Sequence, residues 1–113
     1  METSTEILER LMGLLAERAR ELPAGSYTTQ LLRGGVERIG EKVLEEAREA
    51  VEAAAEVGEA GRAHLAREVA DLLYHTLVLM AWRGLSLDEV MQVLASREGQ
   101  SGLEEKRRRG GVE

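Results

Sequence analysis

The segment EKVLEEAREAVEAAAE, residues Glu41 to Glu56, determines the architecture we expect for this chain. Its apolar residues recur at helical spacing, and charged residues fill the positions between them. A second segment, AREVADLLYH at Ala66 to His75, has the same helical character. Two long helices joined by a short break are expected to pack side by side, so we predict an antiparallel pair at the centre of the fold.

An all-α fold follows, because no segment shows the alternating pattern of a strand. The third helix is apolar nearly all round after Asp71, which is typical of a helix buried on several sides. We therefore expect a bundle of four to five helices that is completed by dimerisation. The helices are predicted at about Thr5–Leu22, Val36–Val57, Arg62–Arg83 and, after a capping box at Ser86–Glu89, to about Ser96, with a break at Gly58–Gly61.

One sizeable irregular segment, PAGSYTTQLLRGG, connects the first two long helices at Pro23 to Gly35. Ser26 could cap a short helical turn from Tyr27 to Arg33, which the Gly34-Gly35 pair would then stop. The segment has two interpretations at this point. It is either a plain connector or, because it carries hydroxyls, an aromatic ring and an arginine, a ligand-contacting loop.

Length and composition set limits on the class of protein. With 113 residues we expect one domain, 1–113, with a partly flexible tail from about 98 to 113. The formal net charge of -6 argues against general nucleic-acid binding, which needs basic surface. The chain has no cysteine, so it has no thiolate metal site or disulfide. No apolar run approaches the roughly 20 residues that cross a bilayer, and no signal peptide is evident, so we expect a cytoplasmic protein without a membrane partner.

The two central helices each carry a pair of acids three residues apart. Glu46 and Glu49 lie on the second helix, and Glu68 and Asp71 lie on the third. Residues three apart share one side of a helix, so packed helices would direct four carboxylates into one small volume. Such a cluster favours a hard cation that prefers oxygen ligands, such as Mg²⁺. The alternative is two incidental salt-bridged faces.

The helical wheel distinguishes among the acids of the second helix. Glu46 falls almost inside the apolar stripe, where a carboxylate costs stability unless it is paired or bound to a metal. Lys42 and Glu49 lie at the edge of the stripe, and Glu45 lies further round. Ordinary solvent-facing charges are predicted at Glu37, Arg48 and Glu52.

Other chemistries fit less well. A di-iron bundle needs Glu-x-x-His pairs, but Gly61 and Leu72 stand three residues before His64 and His75. A P-loop is absent. His75 is interpreted either as a core histidine or as a partner of Asp71. Carboxylate-bound Mg²⁺ beside Lys or Arg points to phosphate chemistry.

Residues 42–49 and 68–75 resemble the Glu-Glu-x-x-Glu … Glu-x-x-Asp signature of the all-α nucleoside triphosphate pyrophosphohydrolases of the MazG type. Within that superfamily, the Ser26-Tyr27-Thr28 loop is similar to the opening of phosphoribosyl-ATP pyrophosphohydrolase. The segment from Arg97 through 101–106 to Arg109 is similar to that family's C-terminal end. Two positions depart from the family pattern: Leu44 replaces a common Gly, and Glu41 replaces the usual Gln.

The resemblance implies hydrolysis of phosphoribosyl-ATP to phosphoribosyl-AMP and pyrophosphate, the second step of histidine biosynthesis, by a homodimer. Alternatives are a housekeeping enzyme acting on nucleoside or deoxynucleoside triphosphates and a non-catalytic dimerisation module. The cofactor would be Mg²⁺, with Mn²⁺ as a substitute. The implied residues are Glu46, Glu49, Glu68 and Asp71 as metal ligands, Glu45 and Glu46 in catalysis, and Lys42, Tyr27, Thr28, Arg97 and Lys106 as substrate contacts.

Overall fold

A computed structural model describes residues 3–98, and these form four helices and no strand. The all-α prediction is therefore confirmed. No helix among these residues is long and apolar enough to cross a membrane. The predicted tail lies outside the described residues except for residue 98 itself. The helices are α1 at Ser4–Glu21, α2 at Tyr27–Ala54, α3 at Gly58–Arg83 and α4 at Leu87–Ser96.

Short polar side chains begin three of the helices, as their sequences predict. Thr3 caps α1, accepting a hydrogen bond from the Glu6 amide at 3.1 Å, while the Glu6 carboxylate accepts one from the Thr3 amide. Ser86 and Glu89 form the same reciprocal capping box at α4. Ser26 accepts a bond from the Thr29 amide at 3.3 Å and starts α2 at Tyr27. The predicted cap at Ser26 is confirmed.

The helix α2 bends sharply at Gly35, whose φ of 70° and ψ of -161° are not helical. Both Tyr27 and Glu46 contact His75, although they are 19 residues apart. A straight helix would separate two such residues by about 28 Å. Residues 27–34, here called the arm of α2, therefore fold back beside the rest of the helix. The arm matches the short helical turn that the sequence predicts before the glycine pair.

The third helix begins four residues earlier than predicted, at Gly58 instead of Arg62. The break between α2 and α3 lies at residues 55–57, so the prediction that Gly58–Gly61 breaks the helical pattern is wrong. Gly61 is buried inside α3, and a Cβ atom there would lie 2.5 Å from the Glu56 carbonyl oxygen. Because glycine has no side chain, the start of α3 can approach the backbone just after α2 closely. Gly61 therefore allows this close packing and does not stop the helix.

The predicted antiparallel pairing of α2 and α3 is confirmed by their contacts. Glu46 contacts His75, and Glu56, ten residues later and just past the end of α2, contacts His64, eleven residues earlier in α3. The buried face of α2 includes Ile39, Glu46, Ala50 and Ala53. The core is formed by apolar residues of α1, α2 and α3: Met12, Leu15, Leu31, Leu32, Ile39, Leu77, Val78, Met80 and Ala81.

Candidate functional site

A buried hydrogen-bonded chain joins Glu46, His75 and Tyr27. His75 Nδ1 lies 2.5 Å from Glu46 Oε1 and 3.1 Å from the backbone carbonyl of Asp71. Both neighbours are acceptors, so Nδ1 carries a proton and donates. On the other side of the ring, Nε2 lies 3.2 Å from the Tyr27 hydroxyl. Only 9% of Glu46 and 6% of His75 are exposed, so this pair is shielded from water.

The predicted displacement of Glu46 into the packing face is confirmed by this burial. A hydrogen bond from His75 Nδ1 satisfies one of its oxygens, which explains how an acid persists there. The second oxygen of the carboxylate, Oε2, makes no hydrogen bond to any residue within 3–98. His75 is both a core histidine and a partner of Asp71, but its contact with Asp71 is through the backbone carbonyl and not through the carboxylate.

A second acidic pair lies where Glu49 of α2 approaches Glu68 of α3. Partial burial raises the pKa of the Glu49 carboxyl, and the nearby carboxylates of Glu68 and Glu45 raise it further. Glu68 Oε1 is buried and has no hydrogen-bond partner among the described residues. A buried carboxylate oxygen without a donor is costly unless a cation balances it. This corner therefore has the chemistry of a cation ligand set.

His64 holds the other oxygen of Glu68. Its Nε2 lies 3.2 Å from Glu68 Oε2, and its Nδ1 lies 3.1 Å from both carboxylate oxygens of Glu56. The Glu56 carboxylate raises the pKa of His64 against the opposing effect of burial, and Glu68 adds to the increase. The ring thus orients Glu68 and leaves its Oε1 without a partner.

The remaining predicted residues of the metal and phosphate region lie at the surface. The Lys42 ammonium lies 3.6 Å from Glu45 Oε1, and both side chains are partly exposed. Asp71 is exposed, and no hydrogen bond or ion pair within 3–98 engages its carboxylate. Residues 3–98 contain no group of three or more acidic or histidine side chains arranged to hold a metal ion. The four-carboxylate metal site stays a prediction, with Glu68 Oε1 as the atom that best fits a cation.

The predicted substrate contacts differ in their environments. Tyr27 is 48% exposed, so the edge of its ring is open to a ligand. Thr28 is buried, and its hydroxyl lies 2.6 Å from the Tyr74 hydroxyl, which fastens the arm of α2 to α3. Arg97 caps the end of α4 through its backbone amide. Lys106 lies outside the described residues. The roles of these residues in substrate binding stay predictions.

An apolar groove between α1 and the α3–α4 turn lies apart from these acids. It has a volume of about 630 Å³, and Met12, Ala16, Trp82 and Leu85 are among its lining residues. None of the predicted metal ligands lines it. The groove also contains Glu9, Arg20 and Arg83, but it lies apart from both acidic pairs, so the acidic contact between α2 and α3 remains the candidate site.

Of the two histidines at the site, His75 was interpreted from the sequence as a core histidine or a partner of Asp71, and His64 was given no role. Each lies four residues from an acidic residue of α3: His64 before Glu68, and His75 after Asp71. That spacing places each ring one turn from the acid. Their partners, Glu56 just past α2 and Glu46 on α2, follow only from the helix pairing, which determines which residues meet.

Comparisons with known proteins identify the family of the chain. The family model for phosphoribosyl-ATP pyrophosphohydrolase matches residues 8–98. The phosphoribosyl-ATP pyrophosphatase of Rhodopirellula baltica is 61% identical over 99 residues, which cover 88% of this chain and 82% of the relative. The enzyme of the same name from Metallosphaera sedula is 47% identical over 93 residues, covering 82% and 97%.

A longer relative contains a similar segment. The histidine biosynthesis bifunctional protein HisIE of Deinococcus radiodurans is 48% identical over 96 residues, which cover 85% of this chain and 43% of that protein. The match therefore takes in less than half of the bifunctional protein. Because the family model spans most of the chain and the relatives exceed 45% identity over most of its length, the chain belongs to the phosphoribosyl-ATP pyrophosphohydrolase family.

Proposed function

We propose that this protein hydrolyses phosphoribosyl-ATP to phosphoribosyl-AMP and pyrophosphate with Mg²⁺, in histidine biosynthesis. Family membership supports the substrate and the reaction. The structural observation that supports a cation is the buried, unpartnered Glu68 Oε1 beside Glu49, whose pKa is raised. Two acids brought together at a helix contact are stabilised by a divalent cation, and Mg²⁺ typically combines a few carboxylates with substrate phosphates.

The proposed ligands lie along the antiparallel contact of α2 and α3. When bound, Mg²⁺ would supply positive charge to phosphate oxygens and would acidify a water molecule. Glu45 is exposed next to this contact and is suited to take a proton from that water. Lys42 lies one turn earlier, where its ammonium can contact a phosphate. Hydrolysis would break the anhydride link between the α and β phosphorus atoms, with the oxygen of water added to one of them, since pyrophosphate leaves intact. The metal ligands we propose are Glu46, Glu49, Glu68 and Asp71.

A homodimer is also part of the proposal. Large apolar side chains remain exposed on both central helices, in positions one or two turns apart on the same face of each helix. Burying such side chains against a second copy would stabilise the protein by removing them from water. The exposed residues are Leu44 and Val51 on α2 and Val69 and Leu73 on α3.

The substrate is tested by measuring pyrophosphate release from phosphoribosyl-ATP beside a panel of nucleoside and deoxynucleoside triphosphates, with and without Mg²⁺. We expect Mg²⁺-dependent release with a clear preference for phosphoribosyl-ATP. Release from the free triphosphates alone would favour the housekeeping alternative. A protein that neither binds Mg²⁺ or Mn²⁺ nor releases pyrophosphate would favour a non-catalytic helical module.

A further inference from the structure

The chain of hydrogen bonds through His75 connects a partly exposed residue of the arm to a buried acid of α2. At one end, the ring of Tyr27 is accessible to a ligand, and its hydroxyl meets His75 Nε2 at 3.2 Å. At the other end, His75 Nδ1 donates to Glu46 Oε1 at 2.5 Å. The imidazole of His75 links the two side chains, so a displacement of the Tyr27 hydroxyl is passed to the Glu46 carboxylate through this one ring.

The His75 ring is held in one orientation from three directions. The Asp71 carbonyl accepts a second bond from Nδ1 at 3.1 Å. The rings of Tyr74 and Tyr27 pack edge-on against the imidazole, with centroids 5.1 and 6.2 Å away. Because Nδ1 faces acceptors only, a neutral His75 has an unprotonated Nε2, which accepts a hydrogen bond from the Tyr27 hydroxyl.

We propose that His75 is a positioning residue that couples the Tyr27 contact with substrate to the orientation of the Glu46 carboxylate. By engaging Oε1, His75 leaves Oε2 of Glu46 available to the cation. Partners that orient a metal-binding carboxylate typically change metal affinity by about 10- to 100-fold when they are removed. This inference rests on the proposed function, in which Glu46 is a metal ligand.

The Gly35 bend gives the coupling its structural basis. The bend brings the arm back beside α3, where Thr28 bonds to Tyr74 and Tyr27 bonds to His75. These two neighbouring contacts differ in one respect. The hydroxyl of Tyr74 bonds to Thr28 and makes no hydrogen bond to His75 or Glu46 within the described residues, whereas the hydroxyl of Tyr27 bonds to His75, which bonds to Glu46. Tyr74→Phe is therefore a matched control that weakens the arm but leaves the chain to Glu46 intact.

The first test measures Mn²⁺ dissociation constants by isothermal titration calorimetry without nucleotide. His75→Leu removes the donor to Glu46 and is expected to weaken Mn²⁺ binding by about 10- to 100-fold. His75→Asn keeps an N–H near the position of Nδ1 and is expected to restore most of the affinity, while Tyr74→Phe should bind Mn²⁺ as the unmodified protein does. Unchanged Mn²⁺ affinity in His75→Leu would overturn the proposal.

The second test is a double-mutant cycle on kcat and KM. Tyr27→Phe is expected to lower kcat in the unmodified protein but to have no further effect on kcat in His75→Asn, which already lacks Nε2. An equal loss of kcat in both backgrounds would show that Tyr27 acts on substrate without His75, and would overturn the coupling.

Two further outcomes are decisive. If the His75 variants do not fold, Tyr27→Phe alone carries the test. Its Mn²⁺ dissociation constant should rise a few-fold, although Tyr27 makes no direct hydrogen bond to Glu46 within the described residues, and an unchanged constant would overturn the proposal.

If the unmodified protein neither binds Mn²⁺ nor hydrolyses phosphoribosyl-ATP, the proposed function itself fails. If it does both, the variants test the coupling alone.

Discussion

The carboxyl groups of Glu49 and Glu68 approach each other across the contact between α2 and α3, where burial and the nearby Glu68 charge both raise the pKa of Glu49. Glu68 Oε1 is buried there and has no donor within residues 3–98. Like charges are an unusual arrangement at a contact between two packed helices. A bound cation would convert this repulsion into attraction.

The close carboxyl groups of Glu49 and Glu68 should destabilise the metal-free protein. Glu49→Gln removes one of the two charges, so we expect a higher melting temperature than in the unmodified protein without divalent metal. With saturating Mg²⁺ the order should reverse, because only the unmodified protein gains full stabilisation from the bound cation. The control is Glu37→Gln, an exposed acid on the outer face of α2. Equal Mg²⁺ shifts in Glu49→Gln and the unmodified protein would argue against Glu49 as a ligand.

Glu46 should be needed for turnover but not for folding. In Glu46→Gln, the amide oxygen can still accept the hydrogen bond from His75 Nδ1, so unfolding free energy should change by no more than about 1 kcal/mol. Pyrophosphate release should be lost, because a neutral amide is a poor ligand for Mg²⁺. The matched control, Glu52→Gln, breaks only the exposed pair with Arg48 at 3.1 Å and should keep turnover. Full activity of Glu46→Gln would contradict its role.

The bend at Gly35 depends on backbone conformation and not on space. A Cβ atom there would lie 3.8 Å from Trp82 Nε1, an ordinary contact, but the φ of 70° and ψ of -161° belong to a region that is essentially restricted to glycine. We expect Gly35→Ala to lower the unfolding free energy by about 1 to 3 kcal/mol in urea titrations.

Gly40 provides the matched comparison for Gly35. It lies in the helical part of α2, and nothing lies within 4 Å of an added Cβ atom. Gly40→Ala should therefore raise the unfolding free energy by about 0.5 to 1 kcal/mol. If the two substitutions shift stability in the same direction, the bend is not the strained element described above.

The capping box of α4 should give stability a pH dependence. The backbone amide and the hydroxyl of Ser86 donate to Glu89 and lower the pKa of its carboxyl. Since the folded pKa lies below the unfolded value of about 4.3, this stabilisation is present above that pH and is lost as pH falls through the folded pKa. The stability difference between the unmodified protein and Glu89→Gln should shrink in that range. A difference that does not vary with pH would rule out the ionised cap.

Helical periodicity and capping residues were sufficient to predict the four helices, because their signals are local. Ser26 with the Gly34-Gly35 pair predicted even the short arm, since the cap and the stop are both encoded within a few residues. Gly61 was misinterpreted for a physical reason. Glycine destabilises isolated helices, but here the missing Cβ atom allows α3 to lie against the Glu56 backbone. That contact exists only in the packed fold.

The site was predictable in part. Glu46 was predicted to lie at the apolar stripe, and its burial confirms that position, while its role as a metal ligand stays a prediction. Its partner was not recognised, because the spacing within α3 connects His75 to Asp71, whereas the contact with Glu46 depends on how α2 and α3 align. His64 was missed for the same reason, since its partner Glu56 lies at the opposite end of the α2–α3 turn.

The most direct measurement is the anomalous scattering of Mn²⁺ in crystals soaked with Mn²⁺ and a non-hydrolysable phosphoribosyl-ATP analogue. We expect a Mn²⁺ peak between α2 and α3, coordinated by oxygens of Glu49 and Glu68 and by phosphate oxygens of the analogue. An ordered analogue with no Mn²⁺ at these carboxylates, or with Mn²⁺ bound elsewhere, would contradict the proposed catalytic site.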